Sequence, residues 1–301
     1  HTNGAIIARA SQPEVGWLFQ RSKEDENMIQ AIINACNHTL TKNSIHDETK
    51  SSRLLILHAG SYDTCIENSA KYYTNCDIQF MNLPDIHAIN RSAQMLRRAN
   101  AVQCDNWLSQ VTSTRWLQNL SALITAASCV VANVNKDNRP VLVHCSNGRD
   151  HTPQIITLAE IMLDSYYRTI NGFQILVERE WIQFGHEFGD RCGHGVDAND
   201  PNERSPIFLQ WLDCIYQLIM ENQTAFQFNE IFLVLYPSCS SRNLRIWSDL
   251  YLYDTRYMPT DSYHHPSSLS TYGSDNNNNN NNKLTNSTQS NRSSNFLLRI
   301  M

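Results

Sequence analysis

Short apolar runs alternate along the chain with segments of helical spacing. Strands are predicted at 54–57, 78–83 and 141–144, because each range is brief and mostly apolar. Apolar positions recur every three to four residues in six further ranges, which predicts helices at 24–36, 89–98, 116–131, 153–163, 167–184 and 207–223, the fifth interrupted near Asn171 and Gly172. This alternation predicts an α/β fold with a largely parallel central sheet flanked by helices.

The pattern divides the chain into three parts. Regular elements are predicted throughout 1–235, and 236–258 is a divergent end of the same domain. From 259 to 301 the chain is polar and includes seven consecutive asparagines at 276–282, which predicts a disordered Asn/Ser-rich tail. Because the chain opens at His1 without an initiator methionine, we expect the domain to be truncated at its N-terminus.

Composition narrows the classes of function. The net charge of −5 argues against a nucleic-acid partner, which favours a basic surface. The nine cysteines are irregularly spaced and form no C-x-x-C pair, so neither a disulfide framework nor a structural zinc site is predicted. We therefore expect a reducing, cytosolic compartment, with no metal and no cofactor.

The clearest chemistry lies in the cysteine loop (residues 145–152, Cys-Ser-Asn-Gly-Arg-Asp-His-Thr), which joins a strand to a helix. Cysteine phosphatases use such a loop as a phosphate cradle: a thiolate attacks phosphorus, and amides at the helix N-terminus bind the oxygens. Cys145 is the candidate nucleophile, Gly148 lets the backbone curl, and Asp150 could protonate the leaving oxygen. Two plainer interpretations remain: Cys145 as a core cysteine and Asp150 as a helix cap.

The cysteine loop and the blocks around it resemble the myotubularins, phosphoinositide 3-phosphatases of the cysteine-phosphatase superfamily. In that family the loop has the sequence Cys-Ser-Asp-Gly-Trp-Asp-Arg-Thr. Similar blocks recur in order at 163–170, 191–195, 202–206 and 208–214. The block at 11–17 is similar to the branch that carries a FYVE zinc finger. The resemblance covers roughly Asn3 to Leu235 and implies a cysteine-phosphatase-like central sheet.

Three loop positions depart from the family. The loop matches it at Cys145, Ser146, Gly148, Asp150 and Thr152. Asn147 replaces an aspartate, Arg149 a tryptophan, and His151 the phosphate-binding arginine. Histidine cannot copy a planar, permanently charged fork, and losing such a donor costs about 10²–10³ in rate. Arg149 is either a substitute phosphate ligand or a solvated charge, and His151 is most simply a helix N-terminal residue.

The resemblance also implies substrate-binding positions outside the loop. Asn68 matches a family asparagine near the substrate phosphate, and Arg191 is retained. Asp85 replaces an asparagine, and Glu187 occupies a position that is usually basic. Both changes place negative charge where a polyanionic headgroup should bind.

The resemblance implies removal of the 3-phosphate from phosphatidylinositol 3-phosphate and the 3,5-bisphosphate, through a phosphocysteine on Cys145. The departures predict that this activity is weak or lost. The alternative is an inactive pseudophosphatase that binds an active family partner. Expected partners are a phosphoinositide headgroup at a membrane surface and another myotubularin, in a homo- or heterodimer. The expected location is cytoplasmic, peripheral to endosomal or other internal membranes.

Overall fold

A computed structural model describes residues 3–12, 22–43, 53–61, 73, 75–101, 106–193, 200–229 and 299–300. The range 236–258 lies outside these residues, as does 259–301 apart from its last strand, so the division of the C-terminal part stays a prediction.

Four parallel strands form the centre of the sheet. They are β1 (Ile7–Ala10), β2 (Leu54–His58), β3 (Cys76–Phe80) and β4 (Val141–His144). A two-residue strand, β5 (Arg299–Ile300), pairs antiparallel with β1, and the order is β3-β2-β4-β1-β5. His144 lies opposite both His58 and Ala10, so three strands end side by side next to Cys145. The predicted α/β fold is confirmed.

Eight α-helices are described. They are α1 (Lys23–Asn43), α2 (Ile86–Ala101), α3 (Trp107–Ser113), α4 (Trp116–Asn135), α5 (His151–Leu163), α6 (Ile170–Val177), α7 (Phe188–Cys192) and α8 (Ile207–Glu221). Shorter 3-10 turns occupy Ser165–Arg168, Pro201–Glu203 and Gln223–Ala225. A π-helical segment, Glu178–Gln183, directly follows α6.

The predicted interruption of the fifth helix falls two residues earlier than expected. Thr169 is extended, and its hydroxyl accepts a hydrogen bond from the amide of Gly172 at 3.0 Å, which caps α6 at Ile170. Gly172 itself is helical. It is needed there because a Cβ would lie 1.9 Å from the carbonyl oxygen of Tyr166.

Alternating strand residues face two separate apolar layers. Leu55, Leu57, Val141 and Val143 pack with the buried faces of α4, α5 and α8. Leu54, Ile56 and Leu142 pack instead with the buried residues of α1. Helix α4 is long and apolar enough to span a membrane, but core helices pass the same test, and many of its side chains are buried here. The two layers hold the sheet rigidly behind the cysteine loop.

Candidate active site

Cys145 follows β4 directly, and α5 begins six residues later at His151. The sulfur of Cys145 accepts a hydrogen bond from the hydroxyl of Thr152 at 3.1 Å. Cys145 is only 4% exposed, because it packs against the apolar core. The sulfur therefore points toward the first turn of α5, where a helix N-terminus favours an anion.

The side chain of Asn147 forms hydrogen bonds within the loop. Its Oδ1 accepts a hydrogen bond from the amide of Arg149 at 2.9 Å and lies 3.8 Å from the sulfur of Cys145. Its Nδ2 donates to Oδ2 of Asp150 at 3.5 Å. The side chain thus occupies the amide of Arg149, which is one of the backbone donors of the predicted phosphate cradle.

Gly148 packs the loop against the end of β1. Its φ is +73°, and a Cβ there would lie 2.9 Å from the carbonyl oxygen of Ala10. The amide of Gln12, just after β1, donates to the carbonyl of Ser146 at 3.1 Å. Only glycine meets both demands, because it tolerates positive φ and leaves room for the strand.

Asp150 is buried in an ion-pair network. Arg191 donates to it from Nε at 3.1 Å and from Nη2 at 2.9 Å, and Nδ1 of His186 lies 3.3 Å away. Burial would raise the pKa of this carboxyl, but the hydrogen bonds from His186 and Arg191 outweigh burial and hold the pKa well below its usual range. In this arrangement Asp150 is an ionised carboxylate, not a proton donor.

The ring of His151 is bonded to the backbone just before α2. Its Nε2 lies 2.9 Å from the carbonyl oxygen of Pro84, and because a carbonyl only accepts, Nε2 carries the proton. Burial lowers the pKa of His151, so the ring is neutral near pH 7. The single N–H of the neutral ring is therefore used by Pro84 and cannot bind a phosphate.

Arg149 forms an ion pair with Glu187 and is about half exposed. Glu187 also lies 3.7 Å from Nη2 of Arg191. As a result, the side chain of Arg149 is directed at a carboxylate beside the loop.

The remaining predicted site residues fall in different places. Oδ1 of Asp85 accepts from the amide of Ala88 at 2.7 Å, at the start of α2, and the charge of Asp85 acts on the neighbouring ring of His151. Arg191 belongs to the site through Asp150. Asn68 lies outside the described residues.

Arg9 is a loop-contacting residue that the sequence analysis missed. Arg9, in β1, donates from Nη2 to the carbonyl of Gly148 at 2.7 Å. The signal that could have revealed it is a lone charge inside the otherwise apolar run 5–10.

A pair of buried histidines lies behind the loop. Nδ1 of His58 and Nδ1 of His144 are 3.4 Å apart, and burial, followed by the His58 ring, lowers the pKa of His144 to about 3. Among the described residues no three His, Cys, Asp or Glu side chains are grouped as metal ligands, and His194 lies outside them.

The charges near the loop are already compensated. Arg9 pairs with Glu180, Arg149 with Glu187, and Arg191 with Asp150 and Glu203. Within the described part of the chain, every arginine that contacts the loop or Asp150 thus has a carboxylate partner. The arginine of the loop itself, Arg149, is thus engaged by Glu187.

Comparisons with known proteins concern the sequence over most of the chain. The model of the myotubularin-like phosphatase domain matches residues 1–242. The phosphatidylinositol-3,5-bisphosphate 3-phosphatase MTMR4 of Mus musculus is 45% identical over 271 residues, covering 77% of this chain and 23% of that protein. The human protein of the same name is 44% identical with the same coverage, and that of Xenopus laevis is 44% identical over 274 residues, covering 78% of this chain and 25% of its own. The chain thus spans about a quarter of the length of these relatives.

Proposed function

The chain belongs to the myotubularin family of phosphatase domains, and from this premise we propose that it is a phosphoinositide 3-phosphatase whose turnover is weak or lost. The substrates proposed are phosphatidylinositol 3-phosphate and the 3,5-bisphosphate. The similarity to proteins named as 3,5-bisphosphate 3-phosphatases supports this substrate class. The proposed setting is cytoplasmic, at the surface of endosomal or other internal membranes.

The proposed chemistry uses two loop side chains. The thiolate of Cys145 attacks phosphorus, a sulfur–phosphorus bond forms, and the bond from phosphorus to the inositol oxygen breaks. That oxygen takes a proton from Asp150. Water then attacks phosphorus, the Asp150 carboxylate takes the water's proton, the sulfur–phosphorus bond breaks, and the thiolate and inorganic phosphate are released. Because Arg191 keeps Asp150 ionised, the first of these proton transfers requires Asp150 to leave Arg191 and pick up a proton first.

The observation that carries the proposed impairment is the position of His151. Its only proton donor is bonded to Pro84, so no side chain of the loop grips the transferring phosphate with a charged fork. Losing one such donor costs about 10²–10³ in rate. The ion pair between Arg149 and Glu187 supports the same conclusion, because it occupies the nearest alternative guanidinium.

Restoring the family's loop tests this proposal. The triple substitution Asn147→Asp, Arg149→Trp and His151→Arg should raise phosphate release from a short-chain phosphatidylinositol 3-phosphate by at least about tenfold. Adding Cys145→Ser to the triple variant should abolish the gain. If the unaltered chain already turns over as fast as an active myotubularin domain assayed beside it, the proposed impairment is wrong.

The second candidate is a pseudophosphatase adaptor, favoured by the ionised state of Asp150 together with the lost clamp. In this role the chain would bind an active family member as a heterodimer, without turnover of its own. Cys145→Ser in the unaltered chain separates the two candidates: a residual enzyme loses its phosphate release, whereas an adaptor has none to lose and keeps its binding to an active myotubularin domain in size-exclusion chromatography.

A further inference from the structure

Arg9 is a charged residue in a fully buried strand. Arg9 lies in β1 opposite Val143, and Val143 precedes Cys145 by two residues in the chain. The Arg9 side chain is only 2% exposed. Buried arginines are uncommon unless each side of the guanidinium has a partner. The contacts of Arg9 therefore show what the position requires.

Both ends of the Arg9 fork are bonded, to two different parts of the chain. Nη2 donates to the carbonyl of Gly148 at 2.7 Å. Nη1 donates to the carboxylate of Glu180 at 2.7 Å and to its backbone carbonyl at 2.9 Å. The guanidinium also lies 4.0 Å from the ring centre of Phe184, in a cation–π contact. A planar fork can bridge the loop and Glu180 at once, which a lysine cannot do.

Holding the Gly148 carbonyl fixes the direction of the next amide. The peptide is trans, so the N–H of Arg149 points opposite to that carbonyl and away from Arg9. This N–H reaches Oδ1 of Asn147, which lies 3.8 Å from the sulfur of Cys145. The amide therefore faces the thiol side of the loop, where an anion would bind.

We infer that Arg9 is a positioning residue for oxyanion binding: oriented by Glu180, it holds the Gly148 carbonyl so that the amide of Arg149 faces the anion site. The inference rests on the proposed function, in that the cysteine loop binds a phosphate-like group. It goes beyond that function by assigning part of the loop's affinity to a side chain on β1 that never touches the anion.

Arg179 offers a matched control in the same ionic cluster. It pairs with Glu180 and with Glu160, as Arg9 pairs with Glu180, but none of its hydrogen-bond or ion-pair partners among the described residues belongs to the loop. Arg9→Lys and Arg179→Lys are the same chemical change, and each weakens a buried pair with Glu180. A purely structural role would make the two variants behave alike.

The test measures tungstate binding by calorimetry, with tungstate as an unreactive tetrahedral oxyanion. It is made in the unaltered chain and in the chain with the three loop substitutions, each combined with Arg9→Lys or Arg179→Lys. Arg9→Lys should weaken tungstate binding by about tenfold, the effect of losing one well-placed charged hydrogen bond. Arg179→Lys should change the affinity by less than about twofold, whatever it does to the melting temperature.

The outcomes separate the inference from the proposed function. Equal affinity in the Arg9→Lys variant and its parent, or equal losses in both lysine variants, overturns the inference and leaves the anion site standing. If neither parent binds tungstate, the anion site itself is wrong and the inference falls with it. Should Arg9→Lys fail to fold, Glu180→Gln replaces it: this variant keeps an oxygen for Nη1, should weaken binding in the same direction by a smaller factor, and overturns the inference if it binds like its parent.

Discussion

Arg191 holds both carboxylate oxygens of Asp150, with Nε and Nη2 at 3.1 and 2.9 Å. Burial acts to raise the pKa of Asp150, but the hydrogen bonds from His186 and from Arg191 outweigh burial and keep this pKa far below the ordinary value. A side chain predicted as a proton donor is thus locked as an acceptor. Its ion pair must open before it can act as an acid.

The Asp150 ion pair should also make the free energy of unfolding depend on pH in the acidic range. A depressed pKa in the folded state contributes stability that is present above pH 3.8 and is lost as the pH falls toward the folded-state pKa. Asp150→Asn should therefore lower the free energy of unfolding at pH 7 by about 3 kcal/mol, because it leaves Arg191 without its buried partner. Urea unfolding from pH 7 down to pH 2.5 measures this.

Asp137→Asn is the control for that measurement, because Asp137 is exposed. It should change the free energy of unfolding by less than about 0.5 kcal/mol at any pH. A loss in Asp150→Asn that is as large at pH 2.5 as at pH 7 would contradict the linkage.

Gly148 and Gly185 allow the steric demand of the loop to be separated from its backbone conformation. Their φ values are +73° and +76°, but a Cβ at Gly148 meets Ala10, whereas a Cβ at Gly185 meets nothing within 4 Å. Gly185→Ala should cost about 1 kcal/mol from the left-handed conformation alone. Gly148→Ala should cost at least about 1 kcal/mol more, because its Cβ also clashes. Chemical unfolding of both variants checks this. Equal losses of unfolding free energy would mean that the loop can move away from β1 enough to relieve the clash.

Glu160 should make the free energy of unfolding depend on pH up to about neutrality. Burial raises its pKa to about 7, and the nearby charge of Glu180 adds to this while Arg179 opposes it. A raised carboxyl pKa contributes stability that is present below pH 4.5 and is lost as the pH rises through about 7. Glu160→Gln should remove this loss, so the variant should gain stability relative to the unaltered chain between pH 5 and pH 8, by about 1 kcal/mol or more.

The measurement for Glu160 is a difference between variant and parent. The lowered pKa values of His144 and His151 act in the opposite direction over part of the same range, so the parent's own profile is not diagnostic. Glu221→Gln, at an exposed helix end, is the control and should give a flat difference. A flat difference for Glu160→Gln as well would rule out its coupling.

Glu187 is predicted to compete with an anionic ligand. It binds Arg149 directly and lies near Arg191, so its carboxylate occupies guanidinium groups that face the loop region. Glu187→Gln should strengthen the binding of a soluble inositol phosphate by about threefold, a modest gain because the pair is partly exposed. Glu203→Gln is the control, since Glu203 pairs with Arg191 but not with Arg149. Titration calorimetry that finds the same affinity in both variants would remove Glu187 from this role.

The cysteine loop was predictable because its signal is local. An apolar strand, a cysteine, a glycine and a helix follow one another within a dozen residues, and the structure has them in that order. Elements with a weak local pattern were missed. Strand β1 is four residues long and contains Arg9, and α3 has seven residues, which is too short to show helical periodicity.

The partners of the loop could not be predicted, because they come from far along the chain. Arg9 and Glu180 are 171 residues apart, and Asp150 and Arg191 are 41 apart. Neither pair leaves a trace in spacing or composition. The ionised state of Asp150 likewise follows from tertiary contacts with His186 and Arg191, which the local sequence does not reveal.

The π-helical segment Glu178–Gln183 sets the direction of everything that follows it. A π turn holds one residue more than an α turn, so removing a single residue there would convert it to a regular helix. The chain beyond would then rotate by about 100° and shift by about 1.5 Å along the axis. His186 and Arg191 would swing away from Asp150, and a deletion far from the cysteine in sequence would break the ion pairs of that carboxylate.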